Sequence, residues 1–239
     1  MDRIWIWSLI ININKMKIPI SEIFQSIQWE WRNTWKPSIF IRFWWCNLKC
    51  TWCDSKYSWD PSIEKADIME LSEVLDIIRN FESKHIIFTG GEPSLFQKQM
   101  LVIQEELRWE EYSYELETNG SKVLDMNLDF EQVNISPKLK SSWNNEYELE
   151  ILKSDLFNYN YVDLKFVCSN IKDTTETDEY IKKITNYYGF NKIDDIYIMP
   201  LWRDDKSQVN NYLVKYCINN AYKYCLRQHL ILFWDGKWK

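Results

Sequence analysis

Three closely spaced cysteines are the residues in this chain best suited to chemistry. Cys46, Cys50 and Cys53 form a C-x3-C-x2-C pattern directly after the apolar run 39–43. Three thiolates on one short loop can bind a metal centre, and in a four-iron cluster they leave one iron without a protein ligand. Such an iron is open to a small molecule, so this loop is the first candidate for a reaction centre.

A structural zinc site is the main alternative for these cysteines. Closed zinc sites take four protein ligands, usually as two C-x2-C pairs or as a set of cysteines and histidines. The next candidate ligands, His85 and Cys168, lie far along the chain. The spacing therefore favours an iron–sulfur cluster, and zinc or unligated core cysteines stay as alternatives.

The cysteine spacing resembles that of the radical S-adenosylmethionine (SAM) superfamily, in which the open iron chelates the amino and carboxylate groups of SAM. Asp54-Ser55 after the cysteines, with Ser26-Ile27-Gln28 and Glu30 before them, narrows the resemblance to the 7-carboxy-7-deazaguanine synthases. The resemblance covers residues 16 to about 236. It implies a carbon–nitrogen lyase of queuosine biosynthesis that converts 6-carboxy-5,6,7,8-tetrahydropterin to 7-carboxy-7-deazaguanine with loss of ammonia.

The resemblance also implies which residues contact the cofactors and the substrate. Cys46, Cys50 and Cys53 would bind a 4Fe-4S cluster, and the Ser55 hydroxyl, a hard oxygen donor, would bind Mg2+. The implied SAM contacts are Trp52, Cys53, Asp54, Gly91, Glu92, Ser136, Pro137, Lys138 and Lys165. The implied substrate contacts are Ile27, Gln28, Trp29, Glu30, Arg42, Thr89 and His229.

Two of these segments carry a chemical argument of their own. Residues 89–93 read Thr-Gly-Gly-Glu-Pro, where paired glycines let the backbone approach a ligand and Glu92 can bind an ammonium group. Arg42 lies inside an apolar run, needs a partner, and has a planar fork that suits a carboxylate.

Simpler interpretations of the remaining site residues stay open. An internal salt bridge with a glutamate is the alternative for Arg42, a solvated turn for Gln28 and Glu30, and a turn or helix cap for Ser55. Surface charge or a satisfied core histidine is the alternative for Lys138, Lys165 and His229.

Tryptophan and glycine occur in unusual proportions. The chain has 14 tryptophans and 5 glycines, although glycine averages about 7% of residues. In the family, glycine occupies the positions that match Trp29, Trp31, Trp35, Trp45, Trp143 and Trp202, whereas Trp52 and Trp59 match tryptophans. An indole at a tight turn or beside a ligand would fill the space that glycine leaves. One hypothesis is that UGA codons meaning glycine were rendered as tryptophan; the alternative is a blocked or remodelled pocket.

Composition predicts one domain and a small-molecule substrate. A chain of 239 residues can bury one sizeable core, and we expect a single domain over 16–239 after an N-terminal extension, 1–15, that need not be translated. The apolar stretch 4–13 is too short for a membrane span of ~20 residues. A net charge of −6 without a basic cluster argues against nucleic-acid binding. Six cysteines, three of them with ligand spacing, favour the reducing cytoplasm over a disulfide framework.

Hydrophobic patterning predicts an α/β fold in which strands alternate with helices. The predicted strands cover 39–43, 85–88, 113–117, 132–135, 161–167, 196–199 and 228–233, with 20–27 as a short strand or loop. The predicted helices cover 70–81, 94–107, 147–157, 176–188 and 208–224. Candidate ligand residues follow the strand ends, which is typical of a parallel sheet with its site at the carboxyl edge. The resemblance implies a partial, open TIM-like barrel with outer helices, the radical SAM core.

Two further functions compete with the synthase. A radical SAM activase that installs a glycyl radical on a partner protein would use the same cysteine loop. A zinc-stapled, non-catalytic protein would be colourless. By resemblance alone, we expect a flavodoxin or ferredoxin as the electron donor and a homodimer.

Overall fold

The computed structural model describes residues 15–189, 192–201 and 210–232. In these residues the strands are β1 (Lys17–Ile27), β2 (Pro37–Phe43), β3 (Asp67–Glu70), β4 (His85–Gly90), β5 (Ser113–Thr118), β6 (Gln132–Ile135), β7 (Tyr161–Cys168), β8 (Asp195–Pro200) and β9 (Lys223–Tyr224). The helices are α1 (Leu71–Arg79), α2 (Gln97–Glu106), α3 (Ile171–Tyr188), α4 (Asn211–Asn220) and α5 (Gln228–Leu232).

All these strands belong to one mixed sheet with the order β3-β1-β2-β4-β5-β6-β7-β8-β9. From β2 to β9 each pair of neighbours is parallel, whereas β1 runs antiparallel to both β2 and β3. Because β3 and β9 are separate edges, the sheet stays open rather than closing on itself. The predicted α/β class and open barrel are confirmed, and β1 and β3 add an antiparallel flank that the predicted parallel sheet did not include.

The two faces of the sheet bury different side chains. Successive residues of a strand point to opposite faces, and on β2 Phe40 packs with Phe24, Trp29 and Ile87 in a small inner cluster. The alternate residues 39 and 41 belong to the main apolar core on the helix side. A second small cluster, around Trp31, Val167 and Met199, also borders a cavity on this face, and polar side chains occupy the space between the two clusters.

Helix α1 shows how the outer layer is attached. Its residues Leu71, Val74, Leu75 and Ile78 are buried at the spacing of one helix face. Each such side chain contributes roughly 1.5–3 kcal/mol on burial. The backbone N–H of Glu70 donates to the Glu73 carboxylate at 2.6 Å, which begins the helix with a capping box.

Two predicted elements are wrong. The segment 147–157 forms no α-helix but the short 3-10 turns Glu150–Lys153 and Leu156–Asn158. There the Asp155 side chain accepts the backbone N–H of Phe157, a local bond that competes with helix formation. The segment 228–233, predicted as a terminal strand, forms the helix α5 in its described part. Short apolar runs fit a buried strand and a buried helix equally well, so the pattern could not distinguish them.

Other boundaries moved, and some predictions lie outside the described residues. Helix α3 begins five residues before the predicted start at 176, because the Asn170 side chain caps it through Lys172 and Asp173. Strands β3 and β9 were not predicted. Residues 1–14, nearly all of the expected extension, and Trp202 lie outside the described residues. Among the described helices, none combines the length and the apolar character needed to cross a membrane.

Candidate active site

A cavity of about 190 Å³ lies at the carboxyl ends of the parallel strands. The predicted site residues that line it are Trp29, Glu30, Arg42, Cys46, Cys50, Trp52, Cys53, Asp54, Ser55, Thr89, Gly91, Glu92, Ser136, Lys138, Lys165 and His229. Three predicted residues, Ile27, Gln28 and Pro137, are not part of the lining. The parallel register explains this convergence, because the loops after β2, β4 and β6 meet at one edge of the sheet.

Hydrogen-bond donors surround the three cysteine sulfurs. The backbone N–H of Leu48 donates to Cys46 Sγ at 3.4 Å, Asn144 Nδ2 to Cys50 Sγ at 3.1 Å, and Trp59 Nε1 to Cys53 Sγ at 3.4 Å. Such bonds favour thiolates and tune the potential of iron–sulfur clusters. Burial raises the pKa of the Cys46 thiol to about 12, a cost that the positive charge of bound iron offsets. The donor set therefore fits a cluster with three thiolate ligands.

A single zinc ion and a four-iron cluster place different demands on their ligands. Within the part of the chain that the structure describes, no three cysteine, histidine, aspartate or glutamate side chains are grouped to hold one metal ion. A four-iron cluster takes one thiolate per iron, so its ligands need not converge on a single point.

Glu92 is held rigidly beside the cysteine loop. Its carboxylate accepts the Thr118 hydroxyl at 2.6 Å, the Asn119 backbone N–H at 2.7 Å and the Ser94 backbone N–H at 3.0 Å. A side chain at Gly91 is excluded, because a Cβ there would lie 2.0 Å from the carbonyl oxygen of Trp45. The carboxylate retains free lone pairs, so it can accept a bond from an ammonium group of a ligand.

Arg42 combines an internal salt bridge with a position in the cavity wall. Its Nε donates to Glu22 Oε1 at 2.7 Å, and the Tyr57 hydroxyl donates to the same oxygen at 2.8 Å. The internal pair that was the alternative interpretation is therefore present. Because it uses Nε, the terminal nitrogens of the guanidinium can still face a carboxylate in the cavity.

Lys165, on β7, forms an ion pair with Glu30. Its Nζ also lies 4.3 Å from the centre of the Trp31 ring. Beside this pair, Thr89 donates its hydroxyl to Glu117 Oε2 at 2.8 Å. Burial raises the pKa of Glu117. The inner wall thus presents two carboxylates and one ammonium group in a partly dehydrated space.

Two residues from the C-terminal part of the described chain close another side of the cavity. Arg227 Nε lies 3.2 Å from Asp54 Oδ2, and this guanidinium lowers the pKa of Asp54 against the opposing effect of desolvation. Burial lowers the pKa of His229 to about 4, so its imidazole is neutral at pH 7. A neutral imidazole can both donate and accept a hydrogen bond.

A buried polar network lies beneath the cavity on the inner face of the sheet. The Glu115 carboxylate accepts Gln28 Nε2 at 2.8 Å and Asn33 Nδ2 at 2.8 Å, and it lies 3.1 Å from His85 Nε2. Gln28 also donates to Glu117 at 3.1 Å. Gln28 therefore positions the loop between β1 and β2 from below, rather than facing the cavity.

The same network continues toward β8. Arg32 donates to Asp163 at 3.2 Å and to Asp195 at 2.6 Å. Burial raises the pKa of Asp163 to about 7 even with Arg32 beside it. These contacts fix the other end of the loop that carries Trp29, Glu30 and Trp31.

Sequence reasoning missed several residues of the site. Glu117 lies at the end of β5 and Asn119 follows it, two residues further along. Their positions at a strand end, with side chains on the same face, are the signal that identified other ligand residues, so both could have been found from the sequence. Arg227, Asn144 and Glu22 come from separate segments with no local motif. They meet the site only through tertiary packing.

Comparison with known proteins places this site in a family. The Radical SAM superfamily model matches residues 41–142, which include the cysteine loop and the Gly-Gly-Glu-Pro segment. A 7-carboxy-7-deazaguanine synthase of Buchnera aphidicola is 30% identical over 235 residues, covering 91% of this chain and 99% of that protein. The chain belongs to the 7-carboxy-7-deazaguanine synthase family.

Two further relatives of this family agree with the assignment. The Haemophilus influenzae 7-carboxy-7-deazaguanine synthase is 38% identical over 129 residues, 54% of this chain and 56% of that protein. The crystal structure of QueE from Escherichia coli superposes with a TM-score of 0.69 and 26% identity, covering 90% of this chain and 96% of that one. The family prediction is confirmed, and the chain is a radical SAM enzyme whose cofactors are a 4Fe-4S cluster and SAM.

Proposed function

We propose that this enzyme converts 6-carboxy-5,6,7,8-tetrahydropterin to 7-carboxy-7-deazaguanine with loss of ammonia. The product of the proposed reaction is the one that the names of its relatives print. The observation that carries the proposal is the composition of one cavity wall. Three cysteines, Glu92 and Arg42 face the same space at the carboxyl edge of the sheet. An activase for a partner protein requires the cysteines but has no need for Arg42 beside them.

The chain divides its site between cofactor and substrate. The cluster and SAM, when bound, supply the 5′-deoxyadenosyl radical chemistry of the superfamily. Cys46, Cys50 and Cys53 would hold the iron, while the Glu92 carboxylate would accept a hydrogen bond from the ammonium group of SAM. Ser136 and Lys138 extend this part of the wall, with Lys138 Nζ 3.1 Å from Ser136 Oγ.

The remaining polar groups are suited to a flat, nitrogen-rich ring that bears a carboxylate. The Arg42 guanidinium would bind the substrate carboxylate. The Ser55 hydroxyl would hold Mg2+, which would supply a second positive charge for the substrate. Glu30 and Glu117 can accept ring N–H groups, because the carboxylates are held in place by Lys165 and Thr89. Closing these groups into a space with little water strengthens each bond.

Partners and compartment stay predictions. We infer an external one-electron donor of the flavodoxin or ferredoxin type, a homodimer, and a cytoplasmic location. The three cysteines outside the cluster loop, Cys168, Cys217 and Cys225, are buried and not paired in disulfides, as is usual in a reducing compartment.

Replacing individual cysteines and measuring the bound iron tests whether the cysteine loop holds the cluster. Cys46→Ser should remove the visible absorbance and most of the iron of the anaerobically reconstituted protein, together with product formation. Cys217→Ser is the matched control, because this buried cysteine lies on α4 and does not line the cavity. Equal iron in both variants would contradict the assignment of the loop.

Ser55 tests the magnesium site separately. Ser55→Ala should raise the Mg2+ concentration needed for half-maximal activity by about tenfold or more, whereas Ser55→Thr, which keeps the hydroxyl, should restore it. An unchanged requirement in Ser55→Ala would remove Ser55 from the site and leave the cluster assignment intact.

A further inference from the structure

The backbone conformation singles out four tryptophans. Trp31, Trp35, Trp45 and Trp143 have φ of 66°, 77°, 121° and 65°. Among the described residues, six that are not glycine have a positive φ, and these four are the majority. Only a few per cent of non-glycine residues adopt such values, mainly asparagine, aspartate and histidine, because the Cβ atom clashes with the backbone.

Three of these tryptophans gain little from burial that could offset the strain. Trp35, Trp45 and Trp143 are 56%, 46% and 76% exposed. Trp143 follows the 3-10 helix Lys140–Ser142 in the left-handed conformation, the position at which glycine commonly ends helices. Glycine adopts the backbone at these places without strain. The exposed side chains add little packing, and Trp45 makes a loose ring contact with Trp44, with centroids 5.8 Å apart.

Trp45 lies in the most constrained of these turns. Its carbonyl oxygen accepts the backbone N–H of Glu92 at 2.8 Å, and its own N–H donates to Ser58 at 2.7 Å. Its φ of 121° lies outside even the small left-handed region open to residues with a Cβ atom. The turn joins the cysteine loop to the Gly-Gly-Glu segment, so it is fixed by both sides.

Inside the cavity, two tryptophans take up space. Trp29 and Trp31 are 5% and 4% exposed and both line the wall. The remaining 190 Å³ falls below the roughly 300–1,000 Å³ of ordinary ligand pockets. The cavity has the polar groups suited to SAM and to the substrate, but it is too small to hold both molecules together. Trp31 Nε1 is buried and makes no hydrogen bond to any described residue.

We propose that the polypeptide made in the cell carries glycine at positions 31, 35, 45 and 143, and also at 29. If the organism decodes UGA as glycine, and the gene is translated with a code that reads UGA as tryptophan, a single cause explains both the surplus of tryptophan and the shortage of glycine. The backbone argument for the first four positions is independent of the proposed function. The argument for Trp29, whose φ is ordinary, rests on the proposed function through the volume of the cavity.

Peptide mass spectrometry of the protein isolated from its source organism tests this proposal directly. Peptides spanning positions 31, 35, 45 and 143 should have the masses expected for glycine, and the gene should have UGA there. Trp52 and Trp59, which have ordinary φ values, are the matched controls and should be tryptophan encoded by UGG. Tryptophan at the four positions would overturn the proposal, whatever reaction the enzyme catalyses.

Binding of SAM to the full recombinant chain gives a second, independent test. A chain with Trp→Gly at the five positions should bind SAM at least tenfold more tightly than the chain as written, measured by equilibrium dialysis after anaerobic reconstitution. Trp109→Gly is the control, because this tryptophan is 86% exposed, outside the cavity and without a positive φ. Equal affinity in the chain as written would show that Trp29 and Trp31 do not block the cavity.

Discussion

Glu115 should be a main support of the loop that carries Trp29 and Glu30. Its fully buried carboxylate accepts Gln28 and Asn33 at 2.8 Å each and Asn134 at 2.5 Å, with His85 Nε2 at 3.1 Å. Glu115→Gln keeps the size of the side chain but replaces one acceptor oxygen with an NH2 group, which then faces donors.

The expected cost follows from these contacts. A hydrogen bond to a charged acceptor is worth roughly 1.5–3 kcal/mol, and a buried donor left without an acceptor costs about 1–3 kcal/mol. Because His85 can change tautomer and become an acceptor, Glu115→Gln should lose one strong bond and part of another. We expect the free energy of unfolding to fall by about 2–4 kcal/mol.

Urea denaturation followed by circular dichroism measures this change. Glu110→Gln is the matched control, since Glu110 makes a single surface ion pair with Arg79 at 2.7 Å and should cost no more than about 1 kcal/mol. If Glu115→Gln costs no more than Glu110→Gln, the buried network does not hold the loop and this reasoning fails.

Three further predictions address the cavity. As the pH falls from 7 to 5, His229 should lower the free energy of unfolding by about 2 kcal/mol, because its imidazole has a pKa of about 4 in the folded protein and near 6.5 in the unfolded chain. His229→Gln should make the urea midpoint less dependent on pH over this range. Arg42→Lys should raise the KM for the carboxylated pterin at least tenfold, about 1.4 kcal/mol, with a smaller change in kcat, since lysine has no planar fork. An unchanged KM would mean that Arg42 only pairs with Glu22 and does not bind the substrate. Asn144→Ala should lower the cluster reduction potential in an EPR-monitored titration, because Cys50 loses a hydrogen bond, and Asn145→Ala, on the exposed neighbour, should leave it unchanged.

Sequence reasoning predicted those parts of the site that depend on strand ends. The cysteine loop follows β2 and Glu92 follows β4, and parallel register brings both to one edge. Short apolar runs that end at turn residues also identified most of the parallel strands. These features depend on local sequence and on the regular geometry of a parallel sheet.

Other parts of the site depend on tertiary packing and could not be predicted. The pair between Arg227 and Asp54 joins segments far apart in the chain, and the predicted strand around His229 is a short helix. The placement of Gln28 below the cavity depends on Glu115, which was not distinguished from its neighbours on β5. No hydrophobic pattern reveals that a side chain such as Gln28 is already saturated with hydrogen bonds.

Anaerobic turnover tests the central claim most directly. The reconstituted chain with Trp→Gly at positions 29, 31, 35, 45 and 143 should convert 6-carboxy-5,6,7,8-tetrahydropterin, with SAM, reductant and Mg2+, to 7-carboxy-7-deazaguanine identified by mass. Cleavage of SAM to 5′-deoxyadenosine without that product, in a protein that holds its iron, would contradict the account.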